Sequence, residues 1–224
     1  MTFSIIARCP RTGQFGAAAT TALPAVGKFV THAFPDAGAV ATQAWLNPYL
    51  GIDGLALLRE GLDASQVVER LKQEDPRIDL RQFAVIDRAG RTACWTGTNC
   101  SGWAGSLDGD SYSLQGNRLY GRHVLEAAAR VFEMSPEHAL VDRLIDALAA
   151  GVAEGGDKKG ESSAAIYVVE DEEYPMWDVR VDEHDDPVEE LRRLKGIFAK
   201  KLEPHIRNMP RREEPAGGPG DYDV

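Results

Sequence analysis

The sequence predicts an α+β fold in which two mainly antiparallel β-sheets stack face to face with helices on their outer sides. The predicted elements run as four strands, two helices, two strands, two helices, two strands and one helix, an order that fits packed layers. Residues 16–21 of the second predicted strand carry only small side chains, which let another layer of backbone approach closely. A doubly wound parallel sheet would need strands and helices in single alternation, and that order is absent.

The first half of the chain is predicted to hold six strands and two helices. Alternating polarity and turn residues predict the strands 3–9, 14–22, 26–34, 37–45, 82–87 and 92–97. Helical spacing of apolar residues predicts helices over 52–60 and 64–73, and Asp63 or Ser65 is a suitable N-cap for the second.

The second half begins with residues 98–116, whose Gly, Ser and Asp content predicts a loop. A helix over 118–132 follows, and Ser135-Pro136 is predicted to start the next helix, which ends at Gly151. The remaining predicted elements are strands over 162–170 and 176–182 and a helix from the cap Asp186 to about residue 202. Pro, Gly and charge dominate the end of the chain. We therefore expect one domain over residues 1–205 and a disordered tail over 206–224.

Composition and charge argue against several classes of function. The formal net charge is −10, whereas nucleic-acid binding needs basic patches. No apolar run approaches the roughly 18 residues of a membrane span, and no signal peptide precedes the first strand. The three cysteines lack the spacing of a metal site. We expect a cytoplasmic protein that binds neither nucleic acid nor membrane and needs no cofactor.

The second residue is the strongest candidate for catalysis. Aminopeptidases remove Met1 when the next side chain is small, and Thr2 is small enough. The mature chain would then begin with Thr2, whose α-amine can act as the base for its own hydroxyl. An α-amine has a pKa of roughly 7.7–8.0, which suits a general base. Because Met-Thr starts are common, an ordinary second residue is the alternative.

Further polar candidates occur in loops and at strand ends, where sites usually lie. Backbone N–H groups at 115–117 suit an oxyanion, and side chains at 155–163 suit an α-amine or an oxyanion. The predicted catalytic residues are Thr2, Ser4, Asp157 and Ser162. The predicted substrate-binding residues are Thr20, Gln43, Asn47, Gln115, Asn117 and Lys158. For each of them, capping a loop or forming a turn is the structural alternative.

Six sequence blocks are distinctive when taken together. They are TFSIIAR at 2–8, GAVATQAW at 38–45, QGN at 115–117, GGDKKG at 155–160, RVDEH at 180–184 and PVEELRRL at 187–194. In combination these blocks resemble the DUF1028 family. That family is placed in the N-terminal-nucleophile (Ntn) hydrolase superfamily, so the resemblance implies a four-layer αββα sandwich and Thr2 as the nucleophile. Proteasome-type relatives use an Asp on the return strand, where this chain has Thr20 and Thr21. They also use a Lys on the following strand, for which Lys28 is a loose match.

These observations together predict an Ntn-type amidohydrolase that acts on a small-molecule amide and forms a homo-oligomer. Two alternatives stay open. One is a non-catalytic binding or assembly protein with the same fold. The other is a metal-dependent hydrolase that uses Asp182 and His184 together with Asp157, since carboxylates and imidazoles are common metal ligands.

Overall fold

The computed structural model describes residues 2–156 and 158–218 as two β-sheets enclosed by helices. The strands are β1 (Thr2–Arg8), β2 (Phe15–Thr21), β3 (Thr31–Phe34), β4 (Gly38–Ala44), β5 (Arg81–Asp87), β6 (Thr92–Thr96), β7 (Trp103–Gly109), β8 (Tyr112–Leu119), β9 (Ser163–Val169) and β10 (Trp177–Val181). The α-helices are α1 (Tyr49–Arg59), α2 (Ala64–Glu74), α3 (His123–Met134), α4 (Leu140–Ala153), α5 (Pro187–Lys201) and α6 (Glu203–Arg207).

The strands form two antiparallel sheets that pack against each other. The larger sheet has the order β10-β9-β2-β1-β8-β7 and the smaller one the order β3-β4-β5-β6. Small side chains fill much of the space between them, so that the two backbones approach closely, as the sequence of β2 predicts. The inter-sheet core contains Ile6, Phe15, Ala17, Ala19, Ala39, Ala41, Ala84 and Ile86. Strand β1 lies in the interior of the larger sheet, between β2 and β8.

Helices cover the outer face of each sheet. On the larger sheet, α3 and α4 bury Phe3 and Ile5 beneath Leu125, Leu144 and Leu148. On the smaller sheet, Leu58 of α1 and Leu71 of α2 bury Val40, Phe83 and Val85 on the outer face of β4 and β5. The predicted four-layer αββα sandwich is therefore confirmed.

Helix α4 approaches the central strand closely because Gly151 faces Phe3. A Cβ atom on Gly151 would lie 2.6 Å from Phe3 Cζ, well inside van der Waals contact. Phe3 directly follows Thr2 in β1. The missing side chain of Gly151 thus sets how α4 packs behind the start of this strand.

The largest difference from the sequence prediction concerns residues 98–116. The expected loop is wrong, since β7 and most of β8 occupy this segment. Strand β8 pairs with β1 from Ala7↔Tyr112 to Thr2↔Asn117. This pairing with a central strand outweighs the weak strand preference of Gly, Ser and Asn. For the same reason the helix predicted over 118–132 begins only at His123.

Smaller corrections concern element starts. The segment predicted as strand 26–34 contains a 3-10 turn at Val26–Lys28 before β3. Helix α4 begins at Leu140 with Ala139 as N-cap, so the predicted start at Ser135-Pro136 is wrong. Asp63 caps α2 through a capping box, as predicted.

The expected division into a domain over 1–205 and a tail over 206–224 stays a prediction, and residues 219–224 lie outside the described residues. None of the helices within the described ranges has the length and apolar character that crossing a membrane requires.

Candidate active site

Thr2 is the first residue of β1, and its side chain points between the two sheets. It pairs with Thr21 of β2 on one side and with Asn117 of β8 on the other. Thr2 is 7% exposed, so only an edge of the residue reaches solvent. Its Oγ1 donates a hydrogen bond to Thr21 Oγ1 at 3.1 Å. The hydroxyl of the candidate nucleophile is therefore held by a second hydroxyl at the end of the neighbouring strand.

Ser4 lies two residues further along β1 on the same face, because side chains alternate along a strand. Its Oγ donates to Gln43 Oε1 at 2.7 Å and accepts from Gln115 Nε2 at 2.7 Å. Gln43 Nε2 in turn donates to the Thr2 carbonyl at 3.2 Å. Ser4 thus lies beside Thr2 as predicted, but its hydroxyl connects two amide side chains.

Gln82 at the start of β5 joins these groups, and the sequence prediction missed it. Its Oε1 accepts from Gln43 Nε2 at 2.8 Å and from Asn117 Nδ2 at 3.1 Å. Its Nε2 donates to the Gly116 carbonyl at 2.9 Å. We call Gln43, Gln82, Gln115 and Asn117 the inter-sheet amide network, since it links both sheets. The signal in the sequence was Gln82 on the same strand face as the core residues Ala84 and Ile86.

The amide network holds the backbone of Thr2. Asn117 Nδ2 donates to the Thr2 carbonyl at 3.4 Å, and Gln43 Nε2 donates to the same oxygen. Both side chains are almost completely buried. Hydrogen bonds hold buried amides such as these in place, because losing one bond leaves an unpaired polar group. The predicted residues Gln43, Gln115 and Asn117 are therefore brought together next to Thr2.

A cleft of about 180 Å³ opens at the end of the sandwich where β1 begins. We call it the N-terminal cleft. Its lining residues are Leu23, Ala44, Trp45, Leu80, Asn99, Cys100, Ser101, Asn117 and Arg118. Leu23 follows β2 and Asn117 belongs to β8, so the two residues flank the start of β1 in the sheet. Thr2 itself is not one of the lining residues, but its strand begins next to the cleft, because Thr2 pairs with Asn117.

The backbone is strained at two positions of the cleft. Ala44 has φ 71° and Arg118 has φ 58°, both in the left-handed region that residues with a Cβ rarely occupy. Such residues cost of order 1–3 kcal/mol each and concentrate at functional sites.

Cys100 also lines the cleft, but it is a poor nucleophile there. Burial raises the pKa of its thiol above the ordinary value, with a hydrogen bond from the Gly97 backbone acting in the opposite direction. Its Sγ donates to the Arg81 carbonyl at 3.4 Å. Because the thiolate is the reactive form, this thiol is kept in the unreactive state.

Ser162 lies across β2 from Thr2. Its backbone N–H donates to the Thr21 carbonyl at 2.8 Å. Its Oγ is buried and makes no hydrogen bond within the described part of the chain. A buried hydroxyl without a partner is rare and calls for an explanation, such as a ligand that supplies the missing bond. Asp157, the other predicted catalytic residue of this segment, lies outside the described residues.

Three predicted substrate residues are not in the Thr2 network. Thr20 points to the helical side of β2, because neighbouring residues of a strand face opposite sides. Its Oγ1 donates to the Ser163 carbonyl at 2.9 Å. Asn47 Nδ2 donates to Asp75 Oδ2 at 2.8 Å. Lys158 Nζ lies 5.5 Å from the centre of the exposed Tyr120 ring.

Asp75 and Arg81 form a buried ion pair that supports one wall of the cleft. Arg81 Nε lies 2.8 Å from Asp75 Oδ2, and Arg81 Nη1 donates to the Trp45 carbonyl. Burial alone would raise the pKa of Asp75. Hydrogen bonds from Asn47, Arg81 and the Arg77 backbone, together with the charge of Arg81, lower it below its ordinary value instead. The pair therefore depends on an ionised Asp75.

The predicted metal ligands have other contacts. Asp182 Oδ2 lies 2.9 Å from Arg180 Nη2, and His184 Nδ1 accepts from the Asp186 backbone at 3.0 Å. Asp186 accepts from the Glu189 backbone as the cap of α5. Across residues 2–156 and 158–218, no group of three or more His, Cys, Asp or Glu residues is arranged to hold a metal ion.

Comparison with known proteins gives one family. The chain matches the group described as "Family of unknown function (DUF1028)" over residues 2–191. It is similar to the crystal structure of a DUF1028 protein from Silicibacter pomeroyi, with 31% identity, coverage of 98% of this chain and 99% of that chain, and a TM-score of 0.89. Anbu (ancestral beta-subunit) from Yersinia bercovieri matches with 12% identity, coverage of 88% and 97%, and a TM-score of 0.41. No curated protein matches the chain.

Proposed function

This chain belongs to the DUF1028 family, and we propose that it is an Ntn hydrolase that cleaves an amide bond with Thr2 as nucleophile. The observation that carries the proposal is the place of Thr2. It starts a central strand at a cleft, with its hydroxyl 3.1 Å from the Thr21 hydroxyl and its carbonyl held by two amide donors. Removal of Met1 would add an α-amine on the same residue.

The proposed reaction has two stages, acylation of Thr2 and hydrolysis of the resulting ester. Thr2 Oγ attacks the amide carbonyl carbon while its proton moves to the Thr2 α-amine. The C–N bond of the tetrahedral intermediate then breaks, and the leaving nitrogen takes the proton from that ammonium group. Water, activated by the same amine, hydrolyses the ester on Thr2 Oγ and releases the carboxylic acid product.

The surrounding residues would position the nucleophile and stabilise charge. Gln43 and Asn117 fix the Thr2 carbonyl, which limits the backbone freedom of the nucleophilic residue. The unpaired hydroxyl of Ser162 is available to donate to the oxyanion of the tetrahedral intermediate. Asp157 and Lys158, from the segment before β9, stay predicted contributors. We expect Asp157 to contact the α-amine and Lys158 to contact the substrate.

A second candidate is a non-catalytic binding or assembly protein of the same fold. It is favoured by the burial of Thr2, which is only 7% exposed, and by the hydrogen bond that already engages its hydroxyl. Such a protein would keep the amide network for stability alone. The homo-oligomeric state and the cytoplasmic location also stay predictions.

The experiment that tests the proposal compares wild type, Thr2→Ser and Thr2→Ala on a panel of small amides. All three second residues are small, so Met1 removal should proceed in each variant. We expect Thr2→Ser to retain hydrolysis and Thr2→Ala to lose it completely. The wild-type rate should rise with pH as the α-amine loses its proton, at a pKa of roughly 7.7–8.0. Equal hydrolysis by wild type and Thr2→Ala would refute the mechanism.

A further inference from the structure

The N-terminal cleft is small, and it adjoins Thr2 through a shared residue. Asn117 lines the cleft and also donates to the Thr2 carbonyl. The cleft volume of about 180 Å³ lies below the roughly 300–1,000 Å³ of pockets that hold drug-sized ligands. The portion of a ligand that fills it is therefore small. A short-chain compound fits this cleft, whereas a folded polypeptide does not.

The cleft is lined by one charged residue, Arg118, which is positive. The other polar lining residues, Asn99, Ser101 and Asn117, are neutral. The protein as a whole has 35 acidic residues and a net charge of −10. Among the described residues, Arg118 makes no ion pair or side-chain hydrogen bond. A guanidinium group binds carboxylates in a bidentate geometry and stays charged at all working pH values.

The backbone of Arg118 is fixed in an unusual conformation. Its φ of 58° is disfavoured for a residue with a Cβ, and its N–H donates to the Ser101 carbonyl at 3.0 Å. Gly102 packs against it so closely that a Cβ there would lie 3.0 Å from Arg118 Cα. Glycine would occupy the position of Arg118 without strain. Strained positions of this kind concentrate at functional sites, which favours a role for the side chain of Arg118.

Apolar side chains complete the cleft. Trp45 is 63% exposed and Leu23 is 65% exposed, although both are large hydrophobic residues. The backbone of Trp45 is anchored on both sides, since its N–H donates to Leu80 and its carbonyl accepts from Arg81. The cleft thus offers an exposed cation, Arg118, and an exposed aromatic side chain, Trp45, both carried on anchored backbone near Thr2.

From these features we propose that the N-terminal cleft binds a short-chain amide that carries a carboxylate, with Arg118 pairing with the carboxylate and Trp45 and Leu23 covering the carbon chain. The inference rests on the proposed function, because it names the substrate class of the same site. Bound in this way, the amide carbonyl would extend toward Asn117 and the start of β1.

The test measures binding to the Thr2→Ala variant, in which turnover does not interfere. The probes are malonamate, succinamate and glutaramate, each compared by calorimetry with its neutral diamide of equal size. We expect at least one anion of the series to bind tenfold or more tightly than its diamide. Arg118→Gln should weaken that binding by about 10- to 100-fold, as expected for a charged hydrogen-bonded pair, and Arg118→Lys by less.

Arg122→Gln is the matched control, because Arg122 is exposed and already pairs with Glu126 at 2.9 Å. It should leave binding unchanged. Equal affinity for anions and diamides, an Arg118→Gln variant that binds like its parent, or no binding of any probe at millimolar concentration would overturn the inference. If the anions bind but Thr2 of the wild type shows no reactivity, the proposed hydrolase function is refuted and the proposed ligand class is retained. If Thr2 is reactive but no anion binds, the hydrolase function is retained and the ligand class is refuted.

Discussion

Thr2 Oγ1 and Thr21 Oγ1 are joined by a hydrogen bond of 3.1 Å across the β1–β2 pair. We predict that Thr21→Val, which keeps the shape of the side chain, leaves the Thr2 hydroxyl poorly oriented. The rate at which a β-lactone electrophile modifies Thr2 should fall by about tenfold or more, since a small misplacement of reacting groups slows a reaction strongly.

The control for this variant is Thr42→Val. Thr42 is also completely buried in a strand, but it faces the helical side of β4 and donates to the Asn47 carbonyl at 3.2 Å. It should cost a similar amount of stability, about 1 kcal/mol, and leave the modification rate unchanged. Equal rates for Thr21→Val and wild type would show that this hydrogen bond does not prepare Thr2.

Gln82 is predicted to be the most sensitive member of the inter-sheet amide network. Gln82→Met preserves the volume of the side chain but leaves the amides of Gln43 and Asn117 without their shared acceptor. Each buried amide that loses this partner costs about 1–3 kcal/mol, so the free energy of unfolding should fall by about 2–6 kcal/mol in urea titrations.

Gln14→Met makes the same chemical change at a site with one weak bond, 3.3 Å to Glu170. It should cost less than about 1 kcal/mol. If the two variants were equally stable, the network would have no energetic role beyond packing.

The contact between Gly151 and Phe3 predicts a packing effect behind Thr2. In Gly151→Ala the new methyl group would lie 2.6 Å from Phe3 Cζ, so overpacking should destabilise the protein by about 1–3 kcal/mol. Gly196→Ala is the matched helical control, since nothing lies within 4 Å of its Cβ position in α5. It should stabilise the protein by up to about 1 kcal/mol, because alanine is the better helix former. Thermal unfolding should therefore show a lower melting temperature for Gly151→Ala and a higher one for Gly196→Ala. A Gly151→Ala variant that is more stable than wild type would contradict the close packing.

The ion pair of Asp75 and Arg81 predicts how stability depends on pH. The folded pKa of Asp75 is lowered, so the unfolded chain takes up a proton first as the pH falls. The stability that Asp75 contributes is therefore fully present above the unfolded pKa of about 3.9 and is lost as the pH falls through the folded value. Asp75→Asn should cost about 3 kcal/mol at pH 7, because Arg81 is left buried without its partner.

Urea unfolding of wild type and Asp75→Asn from pH 7 to pH 3 measures this effect. The difference in unfolding free energy should shrink on the acid side of the window. Asp53→Asn serves as the control, since Asp53 lies in an exposed position of α1 near the pair and makes no ion pair among the described residues. A difference between wild type and Asp75→Asn that stays constant with pH would contradict the assignment.

Alternation along strands predicted much of the candidate site. It places Thr2 and Ser4 on one face of β1, and that face points between the sheets toward Gln43. It was less successful where pairing over long distances decides the structure. Residues 103–119 have weak strand preferences and become β7 and β8 because β8 pairs with β1, more than 100 positions earlier in the chain.

The role of Gln82 was not predictable from its neighbours, because its partners come from β4 and β8. Gln43 is 39 positions away and Asn117 is 35 positions away. The N-terminal cleft is likewise built from the ends of β4 and β8, from segments that follow β2, β4 and β6, and from Leu80 before β5. Local patterns report which face of a strand is buried, whereas side-chain partners and cavities depend on the assembled layers.

The most direct measurement is intact-mass spectrometry of the folded protein before and after treatment with a β-lactone. We predict that the chain lacks Met1, that one reagent molecule adds per chain, and that fragmentation places it on Thr2. Thr2→Ala should also lack Met1 and should gain no mass. A folded wild-type protein that retains Met1, or an equal adduct on Thr2→Ala, would contradict catalysis by an N-terminal threonine.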